Sequence, residues 1–286
     1  METRKLGQTG HMDSILIFGG FALFHATQKE ADAALEMALE HGINHIDVSP
    51  IYGGAEARIG SWIGRHGKKF FIGCKTAERD KKGAREGLER SLETLKIDRF
   101  DLFQLHGVDE RRVLDTALGP GGALEAILEA RQAGLVRCIG ITGHKPPTHE
   151  LALQSFDFDT VMFPLNRVHA AHFNEWNDYR PLLKTARRKG VGVQVIKSVA
   201  RGAWKDRSSQ PYQTWYEPFD DAGEIEKSLW YALSQDITAA VLPGDLKLWP
   251  MIIDAAERFR PLSPEQQRDF VAQAAPNQPL AGPVMD

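Results

Sequence analysis

INHIDVSPIYGGAEARIG, residues 43–60, holds a strand, a turn and the start of a helix. Apolar residues alternate from Ile43 to Val48, with Asp47 near the end of the run, which is the period of a strand. Pro50 and the pair Gly53-Gly54 break the run, and Ala55 to Gly60 opens a helical pattern. A carboxylate at a strand end and a phenol (Tyr52) one turn later can face the same cleft.

Outward from this stretch the same unit repeats. Strand patterns fall at ILIFGG (15–20), HIDVS (45–49), FFIGCK (70–75), FDLFQLH (100–106), CIGITG (138–143), TVMFPLN (160–166), VGVQVIKS (191–198) and AAVLPG (239–244). Helical patterns lie between them, as in AREGLERSLETLKI (84–97), ALEAILEARQAG (123–134), YRPLLKTARRKG (179–190) and EIEKSLWYALSQ (224–235). Before the first of these, Thr27 with Glu30 three residues on has capping-box spacing. Strict alternation argues a parallel sheet. Eight units in 286 residues argue α/β closure into a (β/α)8 TIM barrel, a single domain over residues 1–286. KLGQTGHMDS reads as an N-terminal β-hairpin turning at Gly7 and Gly10, and an extra helix is expected near the C-terminus. The competing open sheet would carry G-x-G-x-x-G, but GVGVQV (190–195) has Val195 at the third glycine. Two connections are long, 107–122 and 199–222, and lie over the expected C-terminal mouth. The tail from Pro276 reads as a loosely held end.

Composition excludes some roles. Hydrophobic residues at 42% and charged residues at 26% describe an ordinary globular chain. A net charge of -3 gives no electrostatic case for nucleic acid or an anionic membrane. Cys74 and Cys138 have neither metal nor disulfide spacing and read as buried thiols of a reducing compartment. METRKLGQTG lacks the apolar core of a signal peptide, and the run Ile15 to Phe24 is too short to span a bilayer. The expectation is a cytoplasmic protein with a small-molecule partner and an unspecified oligomeric state.

Four titratable groups end or follow consecutive strands: Asp47 and Tyr52, Lys75, and His106. In a barrel they converge on one mouth. A phenol has a reference pKa of about 10, and a nearby ammonium lowers it. A carboxylate holds that ammonium in place, and an imidazole orients a carbonyl oxygen. Each residue alone has a plainer reading, as a turn cap, a packed ring, a surface ion pair or a rim histidine. Four at successive strand ends suit proton donation to a carbonyl.

IDVSPIYGGAEARIG, GCKT around Lys75, DLFQLHG, GLVRCIGITG, GVGVQVIKSVARG and AAVLPG are similar, in order and spacing, to the motifs of the aldo-keto reductases. The resemblance runs from about Arg4 to Phe259. It implies NAD(P)H-dependent reduction of an aldehyde or ketone, or the reverse. It implies Tyr52 as proton donor, Lys75 and Asp47 as its tuning pair, and His106 as substrate orienter. Gly20, Phe21 and Ala22 match the loop along the nicotinamide half of the cofactor. The family's Ser-Asn pair and Gln, which hold the carboxamide, are here Thr142, Gly143 and Met162, with His144 as a substitute. Lys197, Val199 and Arg201 match the segment over the pyrophosphate. Where the family often has Lys-Ser and a later Arg to grip a 2′-phosphate, this chain has Gly244, Asp245 and Pro250, with Lys247 nearby. The choice of NAD or NADP is therefore open, with NADH expected to serve at least as well. Gly107 stands where a Trp often follows the active His. Phe21, Phe24, Trp204, Trp215, Tyr212 and Tyr216 are expected to line an apolar substrate pocket or to pack its loop. His25, His169 and His172 read as ordinary loop residues, and no metal is expected. Two other readings use the same residues: a Schiff-base aldolase on Lys75, and a non-catalytic NAD(P)H-binding subunit or sensor.

Overall fold

The computed structural model describes residues 1–206, 208 and 210–280. Residues 281–286 of the tail, and residues 207 and 209 of the 199–222 connection, lie outside the described residues. The hairpin is formed by β1 (Thr3–Lys5) and β2 (Met12–Ser14), paired antiparallel. Gly7 and Gly10 both take positive φ, 52° and 76°, which glycine adopts without a Cβ penalty.

The barrel strands are β3 (Leu16–Gly19), β4 (His45–Asp47), β5 (Phe71–Thr76), β6 (Phe100–Leu105), β7 (Val136–Thr142), β8 (Thr160–Pro164) and β9 (Gly192–Ile196). A small antiparallel pair outside the barrel, β10 (Ala200–Gly202) and β11 (Glu217–Pro218), follows. The last strand, β12 (Ala239–Val241), pairs with both β9 and β3, so the parallel sheet closes. The expected (β/α)8 barrel is what the chain forms.

The helices are α1 (Gln28–Glu40), α2 (Ala55–His66), α3 (Lys81–Leu95), α4 (Arg111–Leu118), α5 (Ala123–Gln132), α6 (Pro146–Ser155), α7 (Arg167–Ala171), α8 (Arg180–Lys189), α9 (Ala222–Leu233), α10 (Trp249–Glu257) and α11 (Pro264–Ala274). Thr27 and Glu30 form the capping box that starts α1, Glu30 accepting the Thr27 N–H at 2.7 Å. The extra helix α11 begins with a second box, Ser263 with Gln266. The 107–122 connection contains α4, which sequence reading leaves as loop. Its eight residues bury Leu114 and Ala117, and it is shorter than the span over which a helical period is read.

The main core fills the space between strands and helices, with Phe18, Ile72, Phe103, Ile141, Phe163 and Val195 fully buried. One row of the barrel is polar: Lys75, Gln104, Gly140 and Thr160 are in register across β5 to β8. Gly140 has no side chain because one would press on Gln104 Cγ, 2.9 Å away, and on Thr160 Oγ1. Polar side chains therefore occupy the barrel interior directly beneath the mouth. Cys74 and Cys138 are free and buried.

Candidate active site

Asp47 closes β4 and Lys75 lies one residue from the end of β5. Both are buried, and Lys75 is 1% exposed. Lys75 Nζ donates to Asp47 Oδ2 at 2.6 Å, to Tyr52 OH at 3.3 Å and to the Val48 carbonyl at 3.4 Å. Gln104 Nε2 reaches the other Asp47 oxygen at 3.4 Å. His106 follows β6 directly, with its ring edge-on to Tyr52 at 5.9 Å between centroids. Its Nδ1 lies 3.2 Å from Ser49 Oγ. The Arg79 guanidinium donates to the carbonyls of His106 and Gly107 and pins that turn. The four groups expected to converge are thus in contact.

Electrostatics assigns their protonation. Burial alone would strip Lys75 of its proton, but Asp47 and Tyr52 outweigh it and the pKa ends above the usual lysine value. A lysine held charged by Asp47 argues against Schiff-base chemistry, since a nucleophilic lysine needs a lowered pKa. Tyr52 corrects an expectation. Lys75 does pull the phenol down, but burial pushes it up more strongly and Asp47 adds to that, so the net pKa is raised. Tyr52 thus rests as a neutral phenol with a proton to give. Burial, then the Lys75 ammonium with the Arg79 guanidinium, holds His106 well below the usual histidine value, so it is neutral.

Two adjoining cavities share Phe21, Tyr52, Ile196 and Trp215. One is walled by Gly20, Asp47, Lys197 and Gly244. The other is walled by Phe24, Lys75, His106, Thr142, His144 and Met162. Lys197 follows β9 with φ at 61°. Its ammonium has no ion pair or hydrogen bond among the described residues, and burial lowers its pKa to about 8. Gly244 admits the close approach of Phe21 and of the Gln213 carbonyl, which a Cβ would meet at 2.8 Å. Among the described residues Lys197 is thus an unpaired cation on the wall of the cleft.

Other expected contacts sit differently. Arg201 is exposed and pairs with Glu217 at 3.1 Å and Asn277 at 3.2 Å. Val199 and Ala22 are buried, and neither these two nor Gly143 walls the cleft. Trp204 holds its loop, Nε1 donating to the Thr214 carbonyl at 2.7 Å. Asp245 receives the Gln213 N–H at 2.8 Å and the Lys247 N–H at 2.9 Å, while Lys247 itself is exposed. His25 is exposed at the cleft rim, His172 bonds the Ala275 carbonyl at 2.9 Å, and His169 is buried on α7. Sequence reading missed three residues here. Gln104 braces Asp47, Gln213 donates to the carbonyls of Phe21 and Gly244 at 3.1 and 3.2 Å, and Asp109 grips His144. Asp109 lies three residues past the active His, and nothing local in HGVD marks it. Among the described residues there is no group of three or more His, Cys, Asp or Glu that could hold a metal, and no helix long and apolar enough to cross a membrane.

A parallel barrel with charged chemistry at the C-terminal ends of successive strands is an enzyme architecture. The comparison with protein families is more specific. The sequence model of the aldo/keto reductase family matches residues 15–259, and the chain belongs to that family. It is an NAD(P)-dependent oxidoreductase acting on carbonyl or CH–OH groups. The chain is 25% identical over 283 residues to the uncharacterized oxidoreductase YqkF of Bacillus subtilis, covering 87% of this chain and 88% of that one. It is 29% identical to L-galactose dehydrogenase of Arabidopsis thaliana, covering 71% of this chain and 66% of the relative. Its fold superposes on the holo form of aldo-keto reductase AKR11C1 from Bacillus halodurans with a TM-score of 0.73, at 24% identity over 96% of both chains.

Proposed function

We propose that this enzyme reduces the carbonyl of a largely apolar aldehyde or ketone, with Tyr52 as the proton donor. One observation carries the reading: a buried phenol held 3.3 Å from an ammonium that pairs with Asp47 at 2.6 Å. Bound NAD(P)H supplies the hydride. As the carbonyl oxygen gains charge, Tyr52 gives its proton, and the Lys75 ammonium stabilises the phenolate left behind. Asp47 keeps that ammonium charged, and Gln104 steadies Asp47. Neutral His106, whose Nδ1 lies 3.2 Å from Ser49 Oγ, would orient the same oxygen by a hydrogen bond. Phe21, Phe24 and Trp215 offer an apolar wall, and Trp215 is 42% exposed at its edge.

The residues proposed to hold the cofactor are Gly20 and Phe21 on one side and Thr142, His144 and Met162 across the mouth. Lys197 would meet the phosphates. Gly244, Asp245 and Lys247 would meet the adenosine ribose. A carboxylate repels a 2′-phosphate and accepts bonds from a ribose diol. NADH should therefore bind at least as well as NADPH. Fluorescence quenching with each nucleotide, followed by turnover on a panel of aliphatic and aromatic aldehydes and ketones, tests both parts. Strong NADPH preference overturns the cofactor part, and tight binding without turnover on the panel overturns the carbonyl part.

A further inference from the structure

Asp109 follows β6 in the loop beyond His106 and is almost fully buried. Its Oδ1 accepts the backbone N–H of His144 and that of Lys145, the latter at 3.1 Å. Its Oδ2 lies 3.1 Å from His144 Nδ1. The two loops are also tied by the Val108 N–H on the Thr142 carbonyl at 2.9 Å and by Thr148 Oγ1 on the Asp109 carbonyl at 2.9 Å. The closeness depends on Gly143, where a Cβ would stand 2.5 Å from Asp109 Oδ1 and 2.7 Å from His149 Nε2. The residue between Thr142 and His144 is thus small because the Asp109 carboxylate fills its place.

This geometry dictates a tautomer. Burial opposes the charge on Asp109, but the hydrogen bonds it accepts from the His144 ring and backbone N–H prevail and hold its pKa to about 2. Burial likewise keeps the His144 ring neutral at pH 7. An ionised carboxylate only accepts, so Nδ1 must carry the single ring proton. Nε2 then presents a lone pair, and it has no hydrogen-bond partner among the described residues. His144 walls the cleft together with Thr142, Met162, Tyr52 and His106. Neither the Met162 thioether nor Gly143 can match a primary amide, whereas a lone pair on His144 and a hydroxyl on Thr142 can.

We infer that Asp109 is a positioning residue for cofactor binding: it locks His144 as the Nδ1–H tautomer, so that Nε2 accepts from the amide NH2 of a nicotinamide ring. This rests on the function proposed above. Thr142 Oγ1 is the complementary donor to the amide oxygen. The arrangement mirrors the buried carboxylates that orient ligand histidines elsewhere, here turned toward an organic group.

The test has two readouts. ¹⁵N NMR of histidine-labelled protein without nucleotide reports the tautomer directly. The wild type should show His144 protonated on Nδ1 only, and Asp109→Asn, whose amide can donate to Nδ1, should shift the ring toward Nε2–H. Binding is then compared by fluorescence quenching for NADH and its 3-acetylpyridine analogue, which lacks the NH2. The wild type should favour NADH by about tenfold, the value of one hydrogen bond. In Asp109→Asn and in His144→Leu that preference should fall to within about threefold. An Nε2–H ring in the wild type overturns the inference, as does full preference in both variants. If the wild type binds neither NADH nor NADPH, the functional reading fails and the amide assignment with it, a result distinct from binding that ignores Asp109.

Discussion

Replacing Asp47 by Asn removes one charge from a pair that sits almost wholly out of water. Lys75 Nζ would retain Tyr52 OH at 3.3 Å and the Val48 carbonyl at 3.4 Å, but lose the carboxylate at 2.6 Å. Breaking a buried pair from one side costs roughly 3–5 kcal/mol, because the other charge stays buried without compensation. Lys75→Met does the same from the opposite side, leaving Asp47 with only Gln104 at 3.4 Å. The double variant removes both charges. Apolar or neutral replacement of a whole buried pair is often near neutral. The two single losses, which add to roughly 6–10 kcal/mol, should therefore shrink in the double variant to no more than either single loss. Urea unfolding followed by circular dichroism measures this, with each single variant moving the midpoint by on the order of 1 M or more. Additive losses in the double variant would refute the reasoning, as would a single loss below about 1 kcal/mol.

Two further predictions concern the scaffold. His149 and His169 are both held near pKa 4, His149 by burial with His144 nearby and His169 by burial with Lys197 nearby. Unfolded histidines take up protons at about 6.5, so below that pH the unfolded state binds more. Stability should be full above pH 6.5 and fall as pH drops toward 4, by up to on the order of 3 kcal/mol per histidine. Urea midpoints between pH 7 and 5, above most carboxylate titration, should decline, and more shallowly for His169→Gln; a flat profile contradicts this. In α2, a Cβ at Gly60 would be driven into the Thr94 carbonyl of α3, whereas one at Gly64 meets only the flexible Lys96 side chain, 3.1 Å away. Gly60→Ala should lose about 1–3 kcal/mol through overpacking, and Gly64→Ala should be neutral or gain up to about 1 kcal/mol. Equal melting temperatures for the two variants would contradict the packing argument.

The barrel was legible because its strands are buried on both faces and read as short apolar runs separated by amphipathic helices. β5 is shifted by one residue from its sequence bounds, and β6 starts where expected and ends one residue earlier. α4 was not read because its eight residues are shorter than the span of roughly 11–18 residues over which a helical period is judged. The four convergent groups were readable because each closes or follows a strand, and topology then places them together. Protonation was less accessible. The direction of the Tyr52 shift depends on how deeply the ring is buried, and the sequence carries only the identity of its neighbours. Asp109 and Gln104 escaped for a related reason. Asp109 acts on a histidine 35 residues later and Gln104 on a carboxylate 57 residues earlier, contacts that exist only once the barrel closes. Arg201 illustrates the converse: its position suggested a phosphate contact, yet Glu217 lies across β10 and β11 to take its charge.

The central claim is that Tyr52 delivers the proton. Tyr52→Phe keeps the ring packed edge-on against Phe21 at 5.4 Å and His106 at 5.9 Å, and removes only the hydroxyl. Steady-state turnover of this variant on an accepted carbonyl substrate, measured beside nucleotide affinity, is the most direct test. The account predicts a loss of at least about a hundredfold in kcat, the lower end of general-acid contributions, with NAD(P)H affinity within about threefold of the wild type. A variant that binds nucleotide normally and retains most of its turnover would contradict it.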